Sequence, residues 1–195
     1  KLKSGDVNRY EDIDLCAVAV ELGCGFVARS FSGDTKQMVN LIRAGIHHEG
    51  FALIDCISPC VTFNNLPDST KGFQWLRDHN VSLHEVGFVA DYQAAQIEQE
   101  PGKVMSVDMP DGGHIHLHAL DEAIHDPTDV HEAREVLERD RLDEGHVYTG
   151  LIYYNAKSRP LHDVLQLDDR PLATLGEEDV RPDRARFAGI LDAWR

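Results

Sequence analysis

The stretch Gly50-Phe-Ala-Leu-Ile-Asp-Cys-Ile-Ser-Pro-Cys-Val-Thr-Phe-Asn64 narrows the folds open to this chain more than any other. It opens as an apolar run bounded by Gly50 and by Ser58-Pro59, which reads as a strand buried on both faces, the habit of a parallel sheet. In open α/β sheets, functional groups collect just beyond the carboxyl ends of such strands. Cys60 stands at that place, in a loop rather than in a strand interior.

The residues before this stretch set its context. Asp12 is a candidate N-cap for a helix through about Leu22, with Ile13, Leu15, Ala17, Val18, Val20 and Leu22 as its apolar surface. Gly23-Cys24-Gly25 ends it, and Phe26 to Phe31 reads as a short strand. Asp34, with Gln37 three residues on, matches a capping box for a helix to about His48. Met38, Leu41, Ile42 and Ile46 share one face of that helix, and Gly50 is its stop. Helix–strand–helix–strand predicts an α/β domain with part of a doubly wound parallel sheet and right-handed crossovers. Two strands are few for such a sheet, so further strands are expected before Lys1.

After Asn65 the chain turns polar. Helices are expected from Ser69 to His79 and from Asp91 to Gln99. Lys103–Met109 and His114–Leu120 flank Pro110-Asp-Gly-Gly113 and read as a β-hairpin. An exposed helix runs from about Pro127 to Leu142, with Asp129 and Glu132 as a possible cap pair. Val130, Ala133, Val136 and Leu137 form its apolar stripe. Val147–Tyr154 is a strong strand by its β-branched and aromatic content. Short helices are expected near Leu161–Leu165 and Arg184–Trp194.

The formal net charge of -15 argues against nucleic acid as a partner, because phosphate binding needs a basic face. Much of the acid lies between Asp121 and Glu144 and reads as a solvated surface. No apolar run reaches the length of a membrane span, and the first residues lack a signal-peptide core. The four cysteines, Cys16, Cys24, Cys56 and Cys60, form no C-x-x-C pair. Reduced thiols and a cytoplasmic location are the expectation.

From position alone, the Cys60 thiol is a nucleophile, a metal ligand or an idle side chain. A nucleophile wants a base, and no signature supplies one. An iron–sulfur ligand needs three more thiolates, and Cys16, Cys24 and Cys56 lack ferredoxin spacing. His114, His116 and His118 alternate on one strand face, where three imidazoles could converge on a metal; the plainer reading is a solvated hairpin face. Lys36 and Lys71 stand beside helix N-termini, which can bind anions, but neither lies in a full phosphate-loop pattern, and surface lysines near caps are the simpler reading.

Gly25-Phe-Val-Ala-Arg29, Ala44-Gly-Ile-His-His-Glu-Gly-Phe-Ala52 and above all Ser58-Pro-Cys-Val-Thr-Phe-Asn64 resemble the β subunit of the 2-oxoacid:ferredoxin oxidoreductases. With the following Ser-Thr-Lys-Gly72, the resemblance is to the 2-oxoglutarate type. It is dense from about Asp12 to Asn80 and returns at Tyr148-Thr-Gly-Leu-Ile-Tyr153. The resemblance implies an enzyme of the thiamine-diphosphate-binding fold. Residues 1–90 would be the C-terminal part of that domain, and residues 91–195 an extension with the hairpin, the acidic helix and the late strand. It implies a [4Fe-4S] cluster with Cys60 as one of four cysteine ligands, and thiamine diphosphate with Mg²⁺ held mainly by residues outside this chain. The N-terminal C-x-x-C and the Gly-Asp-Gly…Asn-Asn motif of the family are absent from this sequence, so the resemblance is to a C-terminal portion. The implied partners are the α subunit, ferredoxin, a 2-oxoacid and coenzyme A, in CoA-dependent oxidative decarboxylation or its reverse. A pyruvate or branched-chain 2-oxoacid enzyme, or a non-catalytic α/β fragment with an idle Cys60, are the alternatives.

Overall fold

The computed structural model describes residues 12–62, 65–66, 69–89, 104–109, 112–119, 125–143 and 145–194. The helix expected over 91–99 lies outside them. The chain divides into two compact units, the first ending at Arg159 and the second running Pro160–Arg195.

In the first unit, helix α1 (Leu15–Glu21) is capped by Asp14 rather than Asp12. The Asp14 carboxylate accepts from the backbone N–H of Cys16 at 2.8 Å and of Ala17 at 3.2 Å. Arg29 also grips that carboxylate, which fixes the helix start two residues later than the sequence suggests. Strand β1 is Phe26–Phe31. Helix α2 (Thr35–His47) is capped by Asp34, whose carboxylate accepts from Gln37 N–H at 3.0 Å. The box is one-sided, because the Gln37 side chain turns inward. Its Oε1 accepts from Ser30, and its Nε2 donates to Ser82 and Thr149. Strand β2 (Ala52–Ile57) follows Gly50, which sits at φ +129°, a conformation that favours glycine.

The main sheet has the order β2-β1-β7-β3, with β3 at Asn80–Ser82 and β7 at Val147–Tyr154. Pairs β1/β2 and β3/β7 are parallel, and β1/β7 is antiparallel. The architecture is therefore α/β with a mixed rather than wholly parallel sheet. The strand buried on both faces is β1, all six of whose residues are buried. In β2, five of the six residues are half-buried and Cys56 is exposed, against the reading of the sequence. The cause is position: among the described residues β2 has a neighbour on one side only. The late strand β7 fills the centre beside β1, and a register shift next to Val27/Ala28 leaves Ile152 without a pairing partner. Leu151 and Tyr154 therefore face one layer while Ile152 faces the other.

A second sheet is antiparallel, order β4-β6-β5, built from β4 (His84–Val89), β5 (Val104–Asp108) and β6 (His114–Ala119). The β5/β6 hairpin is as the sequence suggests. Strand β4 joins it because Val86 and Phe88 alternate with exposed Glu85 and so bury one face. Helix α3 is Phe73–His79, shorter than the expected Ser69–His79 because residues 70–71 form a turn. Helix α4 is Val130–Leu142, with Asp129 as its cap. Glu132 accepts instead from Asp126 N–H.

The apolar residues divide by sheet face. On one side Phe26, Ala28, Leu151 and Tyr154 pack with Leu41 and Ala44 of α2 and with Val86, Phe88, Ile115 and Leu117 of the small sheet. On the other, Val27 and Ile152 pack with Cys16, Ala19 and Val20 of α1 and with Ala133 and Leu137 of α4. Each fully buried large side chain contributes roughly 1.5–3 kcal/mol.

One charged group lies within this framework. The Arg29 side chain, 7% exposed, meets Asp14 of the α1 cap at 2.7 Å, Asp55 of β2 at 3.1 Å, and Asp140 of α4. Asp140 also accepts from the backbone N–H of Tyr148 in β7 at 2.9 Å. The guanidinium thus joins the strands to both helices on one face.

The second unit holds α5 (Leu161–Val164), α6 (Glu177–Val180) and α7 (Arg184–Asp192). None of its described residues is buried. Its own ties are short-range, chiefly Arg170 with Asp168 and Asp179.

Removing one partner of a buried ionic cluster leaves unpaired charge in a poorly solvated site, at a cost of about 3–5 kcal/mol. Arg29→Ala should lower the unfolding free energy of the chain by about that amount, read from the denaturant midpoint. A midpoint unchanged from wild type would contradict the role given to Arg29.

Candidate functional site

Parallel strands β1 and β2 end side by side, and Ser32 N–H donates to Ile57 C=O at 3.0 Å just past their ends. The floor beyond them is aromatic. Phe31 packs on Phe73 of α3 with centroids 5.1 Å apart. A Cβ at Gly33 would stand 2.3 Å from the Phe31 ring and 2.9 Å from Phe73, so the turn admits glycine alone without rearrangement. Ser58-Pro59 leads out of β2 and presents Cys60, which is exposed. Cys60 C=O accepts from Asn65 N–H at 3.1 Å, and Asn65 Oδ1 accepts from Phe73 N–H at 3.1 Å. The loop is thereby tied to the start of α3.

The four cysteines have different fates, and burial separates them. Cys16 is fully buried, and its Sγ donates to Ala28 C=O at 3.7 Å. Burial pushes its thiol up to about 12, even with Arg29 nearby. Cys24 is buried, with its Sγ 3.2 Å from the carbonyls of Phe26 and Phe51. Both are small core residues with their thiols directed at backbone. Cys56 is exposed on edge strand β2, with its Sγ 3.5 Å from Met38 Sδ. Cys60 is the exposed thiol in a loop at the sheet's carboxyl end. As a soft ligand, a thiolate there suits iron or another thiophilic metal.

A four-iron cluster requires four thiolates, and the described residues do not supply them. Cys16 and Cys24 are turned into the core. No group of three or more His, Cys, Asp or Glu side chains among the described residues is arranged to hold a metal ion. The fit is confined to Cys60 as a single ligand position.

The lysines take their plainer readings. Lys36 is exposed and ion-paired with Glu85 of β4, and Lys71 is exposed. Among the histidines, His114 Nδ1 lies 2.9 Å from Asp108 Oδ1, an acidic partner that the sequence reading did not find. Strand alternation in β5 and β6 places Asp108 opposite His114, which the hairpin register alone could have shown.

Sequence reasoning also missed a buried histidine pair. The rings of His84 and His125 lie 5.0 Å apart at 43°, both under 8% exposed. His125 Nε2 donates to Ile152 C=O at 2.9 Å, at the residue left unpaired by the β7 register shift. Burial, reinforced by His125, brings His84 down to about 4. Burial likewise lowers His125 and His48. These imidazoles are neutral core groups.

No family model matches the sequence. The chain is similar to curated 2-oxoacid:ferredoxin oxidoreductase β subunits, which are parts of oxidoreductase complexes. It is 39% identical to that of Saccharolobus solfataricus over 59 residues, 30% of this chain and 19% of the relative. It is 37% identical to subunit β of the Aeropyrum pernix oxidoreductase 1 over 67 residues, 34% of this chain and 21% of the relative. The 2-oxoglutarate synthase subunit KorB of Methanocaldococcus jannaschii is 31% identical over 77 residues, 37% of this chain and 28% of the relative. The chain thus matches about a fifth to a quarter of the length of these relatives. Among solved structures, a 2-oxoglutarate:ferredoxin oxidoreductase from Magnetococcus marinus, with 2-oxoglutarate, coenzyme A and succinyl-CoA bound, shares the fold. The match has a TM-score of 0.53 at 19% identity and covers 93% of this chain and 45% of that one. The resemblance to the β subunits and the α/β fold class are thereby borne out.

The buried His84 sets a pH dependence. Its folded value is lowered below the ordinary imidazole value, so the unfolded chain binds the proton more tightly. Its contribution is full above about pH 6.5 and is lost as pH falls toward about 4, by roughly 3 kcal/mol in all. His84→Leu should flatten the fall in unfolding free energy between those limits, measured by denaturant titration at several pH values. An unchanged slope would show that His84 is not the group responsible.

Proposed function

We propose that this chain is part of the β subunit of a 2-oxoacid:ferredoxin oxidoreductase, with 2-oxoglutarate as the substrate. In that reaction a 2-oxoacid loses CO₂, its acyl group passes to coenzyme A, and two electrons pass to ferredoxin; the reverse carboxylation follows the same path. The observation that carries the reading is Cys60, an exposed thiol in a loop fixed beyond the carboxyl ends of β1 and β2. Similarity to β subunits and to KorB supports the family and the substrate. The relatives described only as acting on 2-oxoacids leave room for pyruvate or a branched-chain substrate.

Cys60 would hold one iron of a [4Fe-4S] cluster, with the other three thiolates coming from outside the described residues. When bound, such a cluster carries single electrons. This chain's part is to hold the ligand still: the Asn65 hydrogen bonds tether the loop, and Phe31 and Phe73 form an apolar floor beneath the strand ends. An apolar, partly desolvated surround and nearby backbone N–H groups are the levers that tune such a site. Thiamine diphosphate and Mg²⁺ would be held mainly by residues outside this chain. The α subunit and ferredoxin would be its protein partners. Among the described residues no helix is long and apolar enough to cross a membrane.

In the assembled complex, Cys60→Ala should abolish the visible absorbance of the cluster and the reduction of ferredoxin. Cys56→Ala, four residues earlier and also exposed, should keep both. A full cluster in the Cys60→Ala complex would refute the ligand role.

A further inference from the structure

Helix α7 carries an exposed apolar face edged by two arginines. We propose that α7 of one copy of the chain docks on α1 of a second copy, as half of a two-fold symmetric dimer.

The spacing in α7 is that of a docking helix. Phe187, Ile190 and Leu191, with Trp194 in the turn that follows, stand at i, i+3, i+4 and i+7 and so share one face. All four are 46–88% exposed. At about 100° per residue, Arg184 and Arg186 fall on opposite edges of that face, and Ala185, Ala188 and Gly189 on its back. Neither guanidinium has an ion-pair partner among the described residues, whereas Arg170 and Arg181 of the same unit are paired with carboxylates.

Charge and spacing point to the occupant. Residues 181–195 hold four arginines against two aspartates, in a chain of formal net charge -15, so a second copy is an acidic partner for this helix. Helix α1 offers the matching surface. Cys16, Ala19 and Val20 face the core. That leaves Leu15, Val18 and Leu22, at i, i+3 and i+7, on the solvent side with Ile13 before them, all 43–82% exposed. Both stripes span a seven-residue step, about 10 Å along a helix. Antiparallel packing sets Arg184 and Arg186 beside Glu21, whose exposed carboxylate also meets Arg134 of α4, and sets Trp194 beside Ile13. It also opposes the two helix dipoles.

The exposed apolar surface of the two stripes, taken twice around a two-fold axis, is on the order of 2,000 Å², and a standard stable interface buries about 1,600 Å² in all. A membrane surface is the other habit of a basic amphipathic helix, but α7 has only nine residues and anionic lipid repels a chain this acidic. The contact depends on neither Cys60 nor the oxidoreductase reading.

The test is sedimentation equilibrium of the full chain across the micromolar range, where a monomer–dimer equilibrium is expected. Val18→Asp and Leu191→Asp each put a charge into an apolar stripe. At about tenfold per contact, with two contacts per dimer, each should weaken association about a hundredfold. Arg186→Glu should weaken it too, and Glu21→Arg in the same chain should restore it, since an exposed pair such as Glu21–Arg134 adds little to folding stability. Leu172→Asp, exposed in the same unit but off α7, should associate as wild type. All the substituted side chains are exposed, so unchanged circular dichroism confirms that the variants fold. A wild-type chain that stays monomeric, or wild-type association in both Val18→Asp and Leu191→Asp, would overturn the proposal. So would a monomer that co-sediments with phosphatidylcholine–phosphatidylserine vesicles. Failure of Glu21→Arg to restore association would remove the charge pairing from it.

Discussion

Arg29 is the constraint on which the first unit depends. It sits on a strand whose every residue is buried, and it carries a charge that no protein environment removes. Three carboxylates answer it, and each comes from a different element: the α1 cap, β2 and α4. The pairing does not by itself make the chain more stable than an apolar core of similar volume. Its effect is on arrangement. The docking of α1 and α4 over β1 and β2 brings Asp14 and Asp140 to the same guanidinium as Asp55. The Asp140 bond to Tyr148 extends that geometry to β7.

What this arrangement delivers is a fixed end to two parallel strands. With β2 held against β1 by Asp55 and by the sheet ladder, Ile57 has a set position, and the loop from Ser58 starts from it. The Phe31–Phe73 contact closes the space below, and Asn65 ties the loop to α3. Cys60 is exposed by construction, whereas Cys16 and Cys24 are used up as core atoms. A ligand role for Cys60 rests on that contrast more than on reactivity, and it connects a buried ion cluster to a surface thiol through one strand.

Much of this was legible in the sequence, for identifiable reasons. The β1 and β7 limits follow from β-branched and aromatic runs, and α2 and α4 from aspartate caps with 3.6-residue stripes. The Ser58-Pro-Cys60 loop was legible because Pro59 stops a strand. Other features depend on partners far along the chain. Asp14, not Asp12, caps α1 because Arg29 selects it, and a cap preference cannot register a tertiary contact. Strand β2 reads as fully buried because its composition is that of an interior strand, yet among the described residues it lies at a sheet edge. Strand β7 enters between β1 and β3 from late in the chain, antiparallel to β1, which turns a sheet expected to be parallel into a mixed one. His84 and His125 gave no signal because neither lies in a motif; only burial brings them together.

The loop at the end of β2, we propose, presents Cys60 to an iron–sulfur cluster. The most direct measurement is the structure of the assembled oxidoreductase, with anomalous diffraction recorded at the iron edge. The account predicts an iron peak bonded to Cys60 Sγ, with Cys16 and Cys24 still buried against β1. A cluster ligated without Cys60, or a Cys60 thiol standing free beside a complete cluster, would contradict it.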